Sequence, residues 1–335
     1  MENFKVENLS LCIINKNDAV NLERLIKTAK DYVGEIIVVD TGSIDRSIDI
    51  AKNFADIVYE SRENEFSFED GSIKNFGEAR NKSFELATKS WIIWLDTDDN
   101  LSDWPGLKSD MQALELIRNQ DSSRAHTMEM AYDYTWNNQG QCIQSFKRAR
   151  IIHKNDEWFW HRPVHEYLKT NLKEIKYLES NNRVIHLSSG ARGMINNRNK
   201  KILLDWIKQP GLSDEDISTI NYYLGDEAFC RSEYKKGYEF FIKVVNVHRD
   251  RALFRAASCL INDSQYYEAI IFIAACTQQY HVANLYWLLA MANANLGRYK
   301  EANIALEHSK NYPLLIGEDP TVFNLVRNAI SIQSL

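Results

Sequence analysis

The sequence predicts an α/β unit with a mostly parallel, Rossmann-like sheet flanked by helices, followed by an all-α helical repeat unit. Three observations carry that prediction. Short β-branched runs alternate with helical periodicity over the first hundred residues, the patterning turns continuously helical after about Arg198, and that second half recurs every 32 to 33 residues. The expected division is residues 1–197 and residues 198–335.

The elements of the first unit follow in order. Residues 9–14 form an apolar run that reads as a buried strand. Asp18 precedes a helical pattern carrying Leu22, Leu25, Ile26 and Ala29. Residues 35–40 are a second β-branched run, closed by Thr41, Gly42 and Ser43, and its helix carries Ile48, Ile50, Ala51 and Phe54. Residues 57–59 are a third strand, and a helix over residues 77–88 leads to a fourth at residues 91–95, which ends at Asp96. Strand–helix–strand units of this kind imply a parallel sheet covered by helices on both faces. Ligands of such sheets bind at the carboxyl ends of the strands, where Asp40 and Asp96 stand. Residues 101–195 look less regular and are rich in aromatics, among them Trp136, Trp158, Phe159 and Trp160, with His161 and His165 nearby. Such a stretch attached to an α/β sheet reads as a substrate-side wall, or more plainly as core packing.

The repeat shows in three registers. Tyr234, Tyr266 and Tyr299 each stand three residues before a small residue, Gly237, Ala269 and Ala302. Twelve residues earlier lie Gly225, Ala257 and Ala290, and four residues later Phe241, Ile273 and Leu306. Small residues at two offsets let paired helices approach closely, with the tyrosine and apolar positions filling the groove. The period is close to the roughly 34 residues of tetratricopeptide repeats, which the pattern resembles in degenerate form; a generic helical bundle is the plainer alternative.

Composition bounds the function classes. The chain has 335 residues, 44% apolar and 26% charged, enough for real cores without covalent staples. A net charge of −6 disfavours a nucleic-acid partner. The five cysteines, Cys12, Cys142, Cys230, Cys259 and Cys276, form no CxxC pair and read as reduced thiols. No basic stretch and apolar run opens the chain, so no signal peptide is expected. No apolar run approaches the roughly 20 residues of a membrane span, and a cytoplasmic protein is expected.

The chemistry gathers at Asp96, Thr97, Asp98 and Asp99. Two carboxylates one residue apart at a strand end can converge on Mg²⁺ or Mn²⁺, hard cations that share their shell with substrate phosphates. An Asp-rich turn is the plainer reading of the triplet alone. Its context is an ordered series: Leu9 to Asn17, then Ile36 to Asp45, then Gly77-Glu78-Ala79-Arg80-Asn81, then the acidic triplet. This series closely resembles the family-2 glycosyltransferases of GT-A fold, in the bacterial branch with C-terminal tetratricopeptide-like repeats that includes peptide glycosyltransferases. The resemblance is strong over the first hundred residues and loose beyond them.

The resemblance implies roles residue by residue. Asp40 would hydrogen-bond the nucleobase, and the stretch containing Ile14, Asn15 and Asn17 would supply backbone contacts to the nucleoside. Arg80 would lie near the nucleotide, its guanidinium suited to phosphate or ribose oxygens. Asp96 would face the ribose and the metal's shell, and Asp98 would be the direct metal ligand. Asp45 reads as a helix cap. Downstream, Trp160 to Glu166 resembles the family's second acidic or histidine motif. Glu166 is the candidate base for an inverting transfer, with His165 orienting the acceptor or the diphosphate; a structural pair is the alternative. His186, after a short apolar run, is the candidate third metal ligand, against a satisfied core histidine. Arg192, Arg198 and Lys200 could close over the diphosphate, or lie in a solvated loop.

The function so implied is metal-dependent transfer of a sugar from a nucleotide sugar, UDP-linked by expectation, to a hydroxyl or thiol acceptor, with inversion. Helical repeats bind peptides or mediate dimers, which tilts the acceptor toward a peptide or protein and admits a homodimer through the helical unit. Surface-glycan assembly, nucleobase modification, and a non-catalytic repeat scaffold with a vestigial transferase domain stay open. A nucleotidyltransferase would carry a glycine- and arginine-rich loop after the first strand; Asn15-Lys16-Asn17-Asp18 stands there instead.

Overall fold

The computed structural model describes residues 4–137, 139–187, 197–245 and 249–314, and the chain divides into two compact units, Met1–Arg198 and Asn199–Leu335. In the first, β1 (Val6–Asn15), β2 (Val33–Asp40), β3 (Ile57–Glu60) and β4 (Trp91–Trp94) are joined by α1 (Ala19–Ala29), α2 (Ser47–Phe54) and α3 (Phe76–Leu86). These four strands pair in parallel in the order β3-β2-β1-β4, as the strand–helix alternation predicts. Alternation along β1 sends Leu9, Leu11 and Ile13 into the core beneath α1 and Cys12 into the core beneath α3.

The described residues after 101, expected as an irregular wall, are regular. They follow β5 (Asp99–Leu101) and form α4 (Leu107–Gln120), β6 (Ala125–Trp136), β7 (Cys142–His153), the hairpin β8 (Trp158–His161) and β9 (Tyr167–Thr170), and β10 (Ile175–His186). The main sheet runs on as β4-β7-β6-β10-β5, with β7 antiparallel to both neighbours, β10 parallel to β6 and antiparallel to β5. Exposed polar positions such as Gln144, Ser145, Lys147 and Glu179 break the apolar runs of β7 and β10, which hides these strands from periodicity. The aromatics are mostly core: Trp158 and Trp160 pack with Phe84, Ile92 and Trp94, and only Trp136 is exposed among those named.

The second unit is helical: α5 (Arg198–Trp206, which opens at the boundary), α6 (Asp214–Cys230), α7 (Tyr234–Phe241), α8 (Arg249–Asn262), α9 (Tyr266–Cys276), α10 (Ala283–Asn295) and α11 (Tyr299–Ser309). The repeat tyrosines are the first residues of α7, α9 and α11. All six small residues and Phe241, Ile273 and Leu306 are buried. A Cβ on Gly225 would stand 2.8 Å from the Phe241 ring, so only glycine lets α6 meet α7 this closely. The turns repeat as well. Ser232, Ser264 and Gly297 take left-handed φ of 61°, 59° and 72°. The next amide bonds back five residues each time, Glu233 to Ala228, Gln265 to Leu260 and Arg298 to Asn293, at 2.8–2.9 Å. This is a Schellman closure used three times. Among the described residues no helix is long and apolar enough to cross a membrane.

Candidate active site

Three groups of side chains gather at the carboxyl ends of β1, β2 and β4. The first ties the β1 and β2 loops. The Asp40 carboxylate, buried, accepts from Asn15 Nδ2 (2.9 Å), Ser43 Oγ (2.6 Å) and the backbone amides of Gly42 (3.0 Å) and Ser43 (2.7 Å). A buried charge needs such donors, and here they fix the Asp40–Ser43 turn. Asn17, with left-handed φ of 52°, donates its amide to Ser43 Oγ and accepts from the Ile44 amide, both at 2.7 Å. Asp45 accepts from the amides of Ala19 and Ser47, the first residues of α1 and α2, and so caps both helices. Asn15 keeps its buried Oδ1 without a partner, and Ile14 lies half-buried beside it. A nucleobase would meet Asp40 only by sharing it with donors already in place.

The second group is the acidic turn. Its backbone is held by Arg24, whose Nη2 donates to the carbonyls of Thr97 (2.8 Å) and Asp99 (2.9 Å), and by Asp18, which accepts from Thr97 Oγ1 (2.7 Å). Antiparallel pairing of β5 with β10 sets His186 opposite Asp99. His186 Nδ1 consequently stands 3.4 Å from Asp99 Oδ1, 3.7 Å from Asp98 Oδ1 and 3.0 Å from the Tyr132 hydroxyl, with the Tyr134 ring stacked on its face. Burial raises the Asp98 pKa against the pull of His186. One ligand atom each from Asp98, Asp99 and His186 fall within 4.8 Å of one another. Two carboxylates and an imidazole at that spacing fit a divalent ion of the Mn²⁺ type.

The third group spans 86 residues of sequence. Arg80 on α3 donates from Nη2 to Asp96 Oδ1 (2.7 Å) and from Nε to Glu166 Oε1 (3.0 Å). Its guanidinium lies 5.1 and 4.9 Å from the Trp94 and Trp160 rings. Arg80, expected to face nucleotide oxygens, is thus engaged with two carboxylates, and its pKa is raised because Asp96 and Glu166 outweigh its burial. Gly77, Arg80 and Asn81 of the Gly77–Asn81 motif serve this junction. A Cβ on Gly77 would collide with the Arg162 carbonyl oxygen. Phe76 N donates to Pro163 O (2.8 Å), Ala79 is in the core, and Asn81 bonds both backbone polar groups of Trp160 (2.7 and 2.9 Å). Arg162 and His165, flanking Pro163 and Val164, both take positive φ, 80° and 53°. Burial, with Arg198 and Arg162 adding to it, depresses the His165 pKa to about 4, so its imidazole is neutral near pH 7.

Of the residues singled out in the sequence, Asp96, Arg80 and Glu166 form one network, Asp98 and His186 a second, and Asn15, Asn17 and Asp40 a third. Arg198 lies over the Phe76 ring (4.8 Å), Lys200 belongs to α5, and Arg192 falls outside the described residues. Sequence reasoning passed over Asp99 as a separate element of the turn, and Arg150, Tyr132, Tyr134 and Arg24 altogether. Asp99 had a signal in its adjacency to the triplet; the others, single residues within strands or a helix, had none.

Residues 10–107 match the family described as "Glycosyl transferase family 2". A TPR repeat-containing protein of Synechococcus elongatus is 29% identical over 182 residues, 52% of this chain and 39% of its own length. The SPbeta prophage-derived glycosyltransferase SunS of Bacillus subtilis is 38% identical over 90 residues, 26% of this chain and 19% of its own. The chain therefore spans well under half the length of these curated relatives. Among solved structures, S. aureus TarS 1–349 aligns over 96% of this chain and 91% of its own at 14% identity with a TM-score of 0.36, a likeness too distant to carry an argument. The chain carries a family-2 glycosyltransferase domain in its N-terminal unit, followed by a helical unit of tetratricopeptide-like repeats.

Proposed function

We propose that this chain transfers a sugar from a nucleotide sugar, UDP-linked, to a hydroxyl or thiol acceptor with inversion and with a divalent metal, Mn²⁺ or Mg²⁺, bound at Asp98 and His186. One observation carries the reading. The acidic turn that ends β4 serves two neighbouring networks: Asp98 reaches His186, and Asp96 reaches Glu166 through a single guanidinium. This supports a metal-and-diphosphate site and a proton acceptor at one strand end. The metal, when bound, neutralises charge on the departing diphosphate.

The protein's own groups do the rest. Arg80 holds Glu166 by Oε1, so the acceptor's proton goes to Oε2 as its oxygen or sulfur bonds the anomeric carbon. The bond from that carbon to the diphosphate oxygen breaks, and its electron pair leaves with the nucleoside diphosphate. His165, kept neutral by burial, accepts or donates a hydrogen bond to the acceptor without adding charge. Asn15 and Asp40 line the nucleoside end. A peptide or protein acceptor, in a cytoplasmic setting, is favoured by the helical repeats, which elsewhere serve as peptide-binding surfaces.

The test is Mn²⁺-dependent hydrolysis of UDP-glucose, UDP-N-acetylglucosamine and a GDP-sugar without acceptor. Hydrolysis of at least one, abolished in Asp98→Ala, supports the reading. Absence of hydrolysis and of millimolar binding for all three overturns it. Retained Mn²⁺-dependent donor binding in Asp98→Ala overturns the ligand assignment.

A further inference from the structure

We propose that Asp99 and Arg150 are positioning residues for the metal site of Asp98 and His186, with Asp99 holding the imidazole and not itself a ligand; this rests on the metal-dependent reading above. Arg150, on β7, is fully buried, its guanidinium 3.8 Å from the Trp94 ring and 4.4 Å from the Tyr132 ring. Nη1 donates to Asp99 Oδ2 (3.1 Å) and to the Trp94 carbonyl (3.3 Å), while Nε and Nη2 have no hydrogen-bond partner. A fully buried guanidinium with two idle nitrogens is a poor stabilising device; an apolar side chain of similar volume commonly does as well or better. Its charge is therefore of use to Asp99.

Asp99 transmits that use. Its Oδ2 is shared by Arg150 and the Asp96 amide (3.1 Å), which ties the carboxylate to the start of the turn. Its Oδ1 faces His186 Nδ1 at 3.4 Å, beside the Tyr132 hydroxyl; an Nδ1–H given to Asp99 would leave Nε2 as the nitrogen that meets the ion. Asp99 has no solvent exposure, whereas the Asp98 side chain is 25% exposed. An ion that must also hold diphosphate oxygens and waters needs ligands with an open side, which Asp98 offers and Asp99 lacks. Carboxylates that orient a ligating histidine are a recurring outer layer of metal sites, and losing one weakens metal binding about 10–100-fold.

The experiment is Mn²⁺ titration, followed by electron paramagnetic resonance with UDP present, on the full chain. Wild type, Asp98→Asn, Asp99→Asn and the double variant Asp99→Asn/Arg150→Met are compared. The double variant removes both buried charges, so no lone ion is left inside. Expected are no measurable binding in Asp98→Asn, a loss of about 10–100-fold in Asp99→Asn, and a double variant within about threefold of Asp99→Asn because both residues act through one route. Either a loss in Asp99→Asn as complete as in Asp98→Asn, or an unchanged affinity, overturns the proposal, as does a further loss beyond tenfold in the double variant. Failure of the wild type to bind Mn²⁺ at all counts instead against the metal-dependent reading.

Discussion

The two units of this chain build their order from opposite kinds of contact. In the helical unit the repeat is defined by contacts between neighbours in sequence: Gly225 meets Phe241, Gln265 bonds Leu260, and Ala290 shares a core with Ala302. In the transferase unit the decisive partners are far apart: Arg80 reaches Glu166, and His186 reaches Asp98 and Asp99. Repetition is what local contact makes possible, since each pair of helices solves the same packing problem. A site needs different side chains at one point, and here a sheet with crossovers delivers them. The contrast predicts that core damage in the helical unit lowers stability, whereas damage at the long-range junctions lowers activity beyond its cost in stability.

The largest effect is expected at Phe241. It is fully buried against Gly225, Ala256 and Cys259, so Phe241→Ala should cost about 3–5 kcal/mol within the helical unit. Thermal unfolding should show the helical transition moving down while Mn²⁺-dependent UDP binding persists below it. Loss of UDP binding at temperatures where the helices are still folded would break the separation of the two units.

Legibility in the sequence divides along the same line. The recurring tyrosines, small residues and apolar positions all proved to be structural positions, because a 32–33-residue period survives in a linear string. Strands β1, β2 and β4 were equally plain, apolar runs buried on both faces or nearly so, and β3 is a short apolar run half-buried at the sheet edge. The antiparallel half of the sheet was not, since β7 and β10 carry long solvent-facing stretches. The candidate site was legible as residue types, Asp96, Asp98, Arg80, Glu166 and His186, but not as a wiring diagram. Nothing in the string says that Arg80 turns toward two carboxylates, or that β5–β10 register sets His186 opposite Asp99.

An intermediate effect is expected at Asn81, which joins α3 to β8 by bonding both the amide and the carbonyl of Trp160. Asn81→Ala leaves two backbone groups unpaired, a cost of about 1–3 kcal/mol each in the transferase unit. Its larger consequence should be catalytic. Displacing the Trp160–Glu166 segment by about 1 Å relative to Arg80 should lower turnover roughly 100-fold, with donor affinity little changed. Equal losses in turnover and donor affinity would mean that the junction serves donor binding and not the placing of Glu166.

The smallest effect sharpens the local side of the comparison. Ser264 occupies the left-handed position of its Schellman turn, φ 59°, where the next repeat uses Gly297 at 72°. A residue with a Cβ is strained there and glycine is not, while glycine also loses more chain freedom on folding. The first term is the larger, about 1–2 kcal/mol against about 0.5–1, and the turn bond is as short in either repeat, 2.8 Å from Gln265 and 2.9 Å from Arg298. The hydroxyl forfeited is only a 3.4 Å acceptor for Tyr266. Ser264→Gly should therefore stabilise the helical unit by about 0.5–1 kcal/mol, seen as a higher urea midpoint at unchanged slope. A lower midpoint would show that this turn depends on the serine hydroxyl, and that the three repeats, alike in backbone, are not closed by the same forces.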